Sequence, residues 1–334
     1  MKWERSIYLL LLGFWIGLAG VERGEARATE VRKAIPVDST ADSIGPAQNS
    51  VPFEEPNPYR TMSVAGTPAS TLAVYPAGAP VTIASSAIMI DARSGTVLFF
   101  KNPDIQRPVA STQKLLTALL IAEHGGLDST VRVAAEDCAV EPTKLGFRPG
   151  ETYTKRQLLA AMLVHSCNDA AVCLARNDAG SIAAFAGLMN QKAAQLGAAN
   201  SHFVNPNGLP KPGQYSTARD MARIAFAAYH IPTLREFMRL PGLTFTYSSG
   251  RRRFLEPTNK LVTRSTIFTG MKTGYTDASG RCLVSSVSAG GNDIILVQLG
   301  GTHRMLFDDA ERLLQWGVER RESGGHTNLF SNRD

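Results

Sequence analysis

Ser111 and Lys114 stand three positions apart at the front of an apolar run in which Leu115, Leu116, Leu119 and Leu120 recur at helical spacing. Residues three apart on a helix share a face, with Cβ atoms about 5–6 Å apart, so the Lys114 amine can reach the Ser111 hydroxyl. A neutral amine placed there can take the hydroxyl proton and activate the serine without histidine. On these two residues alone, an N-capping serine and a solvent-facing lysine is the simpler reading, with Pro108 and Ser111 as helix-start residues. Two further sets downstream shift the balance. Ser166-Cys167-Asn168 lies within 155–177, which reads as one helix, and Lys272-Thr273-Gly274 ends a strand that begins near Ile267. Each set alone is as well explained by an interrupted helix or a strand end with a turn. Together, and in this order, they form the working parts of a serine acyl-transfer site.

The chemistry assigns each residue a task. Ser111 attacks a carbonyl and becomes an acyl ester, while Lys114 accepts its proton. Lys114 must be neutral for this, and burial together with a nearby Lys272 cation would lower its pKa. Ser166 can relay a proton to a departing amine, and the Asn168 amide can fix the base or hold a substrate amide. Lys272 and the Thr273 hydroxyl offer charge-assisted hydrogen bonds to a carboxylate. Gly274 lets a substrate backbone lie along the strand edge. The backbone N–H groups of Ser111 and Tyr275 are candidate oxyanion donors, each typically worth about 3–4 kcal/mol. No metal or cofactor is called for. The chain has no Gly-x-Ser-x-Gly elbow, His-Glu-x-x-His pair or phosphate-binding Gly-x-x-x-x-Gly-Lys-[Ser/Thr] loop. Its six histidines form no motif; His165 adjoins Ser166, but neighbours on a helix point in different directions.

The elements that must position these residues can be read in outline. The 334 residues, 44% hydrophobic and 19% charged, suit one large or two small globular domains. A net charge of +6 suits an anionic wall polymer or lipid headgroups as well as an ordinary solvated surface. Arg251-Arg252-Arg253 is too short and too poor in neighbouring aromatics to indicate nucleic acid. Lys2, Arg5 and the apolar stretch 7–18 read as an export signal over 1–26, with an uncleaved signal anchor as the alternative; the latter would tie the protein to the inner membrane. Residues 27–77, rich in Pro, Ser, Ala, Thr and Gly, read as a flexible linker, 78–320 as the catalytic domain and 321–334 as a polar tail. Within the domain, 87–91 and 96–100 form a hairpin, and helices are expected at 111–124, 155–177, 181–197 and 217–228. Strands at 282–288 and 293–299 pair across Ala289-Gly290-Gly291-Asn292, before a last helix at 306–316. The order suggests an α+β domain whose N-terminal hairpin joins the C-terminal strands in one antiparallel sheet. Cys138, Cys167, Cys173 and Cys282 form no Cys-x-x-Cys pair and default to four buried thiols.

Taken together, the sequence resembles the serine-type D-alanyl-D-alanine carboxypeptidases, the low-molecular-weight penicillin-binding proteins, from about Ser86 to Trp316. The likeness extends past the three motifs to Phe203-Val204-Asn205-Pro206-Asn207-Gly208-Leu209, Ser216-Thr217-Ala218-Arg219-Asp220 and Gly270-Met271-Lys272-Thr273-Gly274-Tyr275-Thr276. The resemblance implies a β-lactamase/transpeptidase-like fold, a five-stranded antiparallel sheet flanked by helices. It implies a periplasmic or other cell-envelope hydrolase that removes the terminal D-alanine from peptidoglycan stem pentapeptides and is inhibited by β-lactams. A D,D-endopeptidase that cuts cross-links is the alternative; β-lactamase activity and a non-catalytic wall-binding role fit less well. Cys167 stands where the family has a small residue. Arg304 is the candidate for the family's carboxylate-binding arginine, offset by about two positions. The family's second β-rich domain and amphipathic anchor have no counterpart in the sequence, so membrane attachment would be N-terminal.

Overall fold

The chain lays down β1 (Ser86–Asp91) and β2 (Val97–Lys101) as an antiparallel hairpin. A 3-10 turn (Ala110–Gln113) then leads straight into α1 (Lys114–His124). A small ribbon of β3 (Thr130–Arg132) and β4 (Thr152–Thr154) brackets α2 (Ala135–Cys138). Next come α3 (Lys155–His165), α4 (Asn168–Ala179), α5 (Ile182–Gln195), α6 (Ala218–Tyr229) and α7 (Pro232–Met238). A second ribbon, β5 (Leu243–Thr246) and β6 (Arg252–Leu255), precedes the meander β7 (Phe268–Thr276), β8 (Gly280–Ala289) and β9 (Asn292–Gly301), and α8 (Leu306–Glu322) closes the domain. This computed structural model describes residues 78–301 and 306–322, all within the unit Glu54–Asp334. The export signal, the linker, Arg304 and all but the first residues of the tail lie outside the described residues.

The main sheet has five antiparallel strands in the order β2-β1-β9-β8-β7. The N-terminal hairpin thus joins the C-terminal meander, with Met89 opposite Leu296 and Ile90 opposite Ile295. Side chains alternate across a strand, so Ile88, Ile90, Val284, Ile295 and Val297 enter the core under the helices, while Ala87, Met89, Leu283, Ile294 and Leu296 enter a second core under α8. Both faces are covered, which explains why these strands read as continuous apolar runs. Strand β7 is left at an edge.

Helix α1 is buried from Lys114 to Ile121. Its leucines each contribute about 1.5–3 kcal/mol by burial, enough to hold a charged-type side chain at its first position. Polar caps set other helix starts: Thr154 and Gln157 form a reciprocal capping box on α3, Ser181 accepts from Ala184 N, and Thr217 accepts from Asp220 N.

Five expectations change. The helix expected over 155–177 is two helices broken at Ser166-Cys167. Ser111 lies in the 3-10 turn, one step before α1 begins at Lys114. Lys272-Thr273-Gly274 sits within β7, which continues to Thr276. The last helix runs past Trp316 to Glu322, two residues into the expected tail. Cys138 is half-buried, whereas Cys167, Cys173 and Cys282 are buried, and all four are free thiols.

Candidate active site

The break between α3 and α4 positions the second motif. Ser166 caps α3 in the left-handed conformation, φ 65° and ψ 28°, and Cys167 turns to extended backbone before α4. A non-glycine side chain there is strained, and such strain persists where surrounding contacts hold it. Here Asn168 N donates to Thr143 O at 2.7 Å, and the Asp169 carboxylate accepts from Leu145 N and Gly146 N. The 3-10 turn holds another such residue, Ala110 with φ 49°, immediately before Ser111.

The Lys114 Nζ lies 2.7 Å from Ser111 Oγ, 2.7 Å from Asn168 Oδ1 and 2.6 Å from the backbone carbonyl of Asn207. The Asn168 amide is oriented by its own nitrogen, which donates to Glu141 O and Pro142 O at 3.0 Å. A neutral amine has two N–H donors and one lone pair. Asn168 Oδ1 and Asn207 O can only accept, so they take both donors and leave the lone pair for the Ser111 hydroxyl. Lys114 is fully buried. Burial, and after it the Lys272 charge, hold it well below the usual lysine range, which keeps the lone pair available.

Lys272 is also fully buried and donates to Ser166 Oγ and Thr273 O, each at 2.8 Å. Burial pushes it down to about 7, opposed by the neighbouring Cys167. It therefore stands behind Ser166 and Thr273 rather than on the cleft surface, with one of its three ammonium donors still uncommitted among the described residues. The Thr273 hydroxyl donates to Thr258 Oγ1 at 2.7 Å. Burial pushes the Cys167 thiol up to about 12, so it fills space as an un-ionised group.

Ser111, Ser166, Asn168, Thr273, Gly274 and Tyr275 line one cleft of about 530 Å³. Gly274 allows the close approach of β7 to Ser111: a Cβ there would lie 2.9 Å from Ser111 N. Tyr275 is half exposed, and its hydroxyl donates to Asp277. Arg304 lies outside the described residues. The structure thus brings eight of the nine expected residues together, six on the cleft wall and two lysines beneath it. Among the described residues, no cluster of His, Cys, Asp or Glu could hold a metal.

Three participants escaped the sequence reading. The Asn207 carbonyl has no side-chain signature, since any residue carries one. Thr258 meets Thr273 only through the tertiary fold. Gly208 has φ +86°, and a Cβ there would lie 2.1 Å from Ala110 O, so the 205–208 loop can close under Ser111 only with glycine. The Asn-Pro-Asn-Gly run marks a turn but not what the turn supports.

Comparison with known proteins identifies the family of the chain. Peptidase S11, the D-alanyl-D-alanine carboxypeptidase family, matches residues 74–303. The D-alanyl-D-alanine carboxypeptidase DacB2 of Mycobacterium tuberculosis is 35% identical over 73% of this chain and 86% of its own length. A D-alanyl-D-alanine endopeptidase of Pseudomonas aeruginosa is 34% identical over 69% of this chain and 76% of its own length. The Escherichia coli carboxypeptidase DacC is 35% identical over 72% of this chain but only 62% of its own length. Among solved structures, a D-alanyl-D-alanine carboxypeptidase from M. tuberculosis superposes with a TM-score of 0.70 at 34% identity, over 74% of this chain and 96% of that one. A Streptomyces K15 DD-transpeptidase variant does so with a TM-score of 0.67 at 28% identity, over 72% and 99%.

Proposed function

The chain belongs to the D-alanyl-D-alanine carboxypeptidase family of serine hydrolases, and from that premise we propose that it is an exported D,D-carboxypeptidase acting through an acyl-enzyme on Ser111. The observation that carries this reading is the buried Lys114 amine, 2.7 Å from Ser111 Oγ and within 2.7 Å of two acceptors, Asn168 Oδ1 and Asn207 O, that can take its N–H donors. In the proposed reaction the Ser111 oxygen bonds to the penultimate D-alanine carbonyl carbon and its proton passes to Lys114. The peptide C–N bond then breaks, and the departing amine of D-alanine takes a proton through Ser166, which Lys272 holds. Water hydrolyses the ester and restores Ser111. The Asn168 amide helps hold the substrate, the Ser111 and Tyr275 amides stabilise the oxyanion, and Thr273 with Lys272 behind it receives the terminal carboxylate. Arg304 is proposed as a further carboxylate partner on sequence grounds alone.

Export to the periplasm rests on the residue pattern of 1–26. Among the described residues no helix is long and apolar enough to cross a membrane. β-Lactams should acylate Ser111, since their strained amide and carboxylate mimic the D-Ala-D-Ala end. Mass spectrometry after penicillin treatment locates the adduct. It is expected on Ser111 and lost in Ser111→Ala; a variant that labels fully would overturn the assignment. The endopeptidase reading is kept because endopeptidases occur among the relatives. Purified muropeptides separate the two: release of free D-alanine without conversion of dimers to monomers marks the carboxypeptidase.

A further inference from the structure

A second groove, of about 230 Å³, opens at the end of β7 away from Lys272. Pro108, Pro210 and Pro212 wall it, Thr276 and Ala278 contribute its β7 side, and Lys211 stands at it. Gly208 and Thr276 border both this groove and the active-site cleft, so the groove continues the cleft past the nucleophile turn.

The direction of β7 orders the two spaces. Thr258 touches Thr273 and marks one end of the site, while Thr276 and Ala278 mark the other. On the proposed function, the substrate carboxylate lies at Thr273 and the scissile carbonyl at Ser111. The peptide N-terminal to the scissile bond must then run along the free edge of β7 toward Tyr275 and Thr276. At about 3.3 Å per extended residue, the third residue upstream of that bond reaches the groove.

The lining chemistry defines what fits. Prolines offer a rigid apolar wall without N–H donors. Gln214, also at the groove, is committed to the loop: its oxygen accepts from Val204 N and Asn205 N, and its nitrogen donates to Leu209 O. Lys211 is the one ionised lining group, is exposed, and has no ion-pair partner among the described residues. The nearby Asp277 does not line the groove and accepts from the Tyr275 hydroxyl at 2.9 Å.

We propose that this groove is an acyl-side subsite for the upstream part of the stem peptide, with Lys211 pairing a carboxylate carried by that segment. This rests on the D,D-carboxypeptidase reading and adds a determinant of substrate length and charge to it.

The test uses the full chain, Lys211→Glu and Ala278→Trp, and four probes. These are a soluble stem pentapeptide with its acidic residue free, the same peptide with that group as a carboxamide, a diacetylated Lys-D-Ala-D-Ala tripeptide too short to reach the groove, and benzylpenicillin. Lys211→Glu should raise KM for the free-acid pentapeptide about three- to tenfold, the size of one exposed ion pair and its reversal, and leave the other three probes unchanged. Ala278→Trp, which fills the groove, should raise KM for both pentapeptides and leave the tripeptide and the penicillin acylation rate unchanged. Equal effects on tripeptide and pentapeptide, or no effect on the pentapeptides, would overturn the subsite. Absence of penicillin labelling and of D-alanine release by the unsubstituted protein would instead overturn the reading on which it rests.

Discussion

On the proposed function, the two buried lysines face opposite demands: Lys114 must be neutral to act as a base, whereas Lys272 serves best as a cation behind Ser166 and Thr273. Burial lowers both, bringing Lys272 to about 7, and the Lys272 charge lowers Lys114 further. The acid limb of Ser111 acylation should follow Lys114, and kcat/KM for carboxylate-bearing substrates should fall above about pH 7 as Lys272 loses its charge in the free enzyme. Replacing Lys272 by methionine removes the cation that depresses Lys114, so the acid limb should move to higher pH. Stopped-flow acylation by a chromogenic cephalosporin across pH reads this directly, and an unmoved limb would refute the coupling. The same variant should be more stable. Lys272 is depressed from 10.5 to about 7 in the folded protein, so its penalty is full below pH 7 and shrinks as pH rises toward 10.5. A gain in Tm on the order of several °C is expected at pH 7 or below, fading toward pH 10.

At the scale of elements, conformation rather than side-chain chemistry separates otherwise similar substitutions. Ser166→Gly relieves the left-handed strain at the α3–α4 break, and Ser166→Ala keeps it. Both lose the hydroxyl that Lys272 holds. Acylation should fall in both, but the glycine variant should be more stable than the alanine variant by about 1 kcal/mol, some 2–4 °C in Tm for a domain of this size. Gly208→Ala places a methyl against Ala110 O with φ +86°, so it should cost about 3 kcal/mol or more and disturb the nucleophile turn as well. Gly274→Ala meets Ser111 N at 2.9 Å without a positive φ. It should slow acylation far more than it lowers Tm, and comparing kinetics with thermal melts distinguishes the two cases.

At the scale of the whole molecule, the sheet joins the two ends of the domain. β1 lies between β2 and β9, and Met89 of β1 packs so closely on α8 that a Cβ on Gly317 would lie 2.7 Å from its sulfur. Gly317→Leu should therefore lift α8 from the sheet and destabilise the fold by about 1–3 kcal/mol, measurable by denaturant unfolding. Among the described residues both cores are packed against the five-stranded sheet. A chain comprising 78–322 should fold and be acylated by penicillin at the rate of the full chain. Loss of cooperative unfolding in that fragment would show that the preceding residues contribute to the domain.

Much of this was legible from the order of residues. The three motifs and the apolar runs of β1, β8 and β9 are local features, carried by residues near one another in the chain. Local periodicity could not reveal the break at Ser166. The apolar pattern runs through it from Leu163 to Ala171, and contacts from Thr143, Leu145, Gly146 and Lys272, distant in sequence, hold it open. Nor could it reveal that β7 continues through Lys272-Thr273-Gly274, because the pairing that extends the strand comes from β8. The sequence by itself determined which groups could perform acyl transfer. The tertiary structure decided their protonation and direction: burial sets the two lysine pKa values, and a backbone carbonyl at Asn207, some 90 residues away, leaves the Lys114 lone pair only Ser111 to meet.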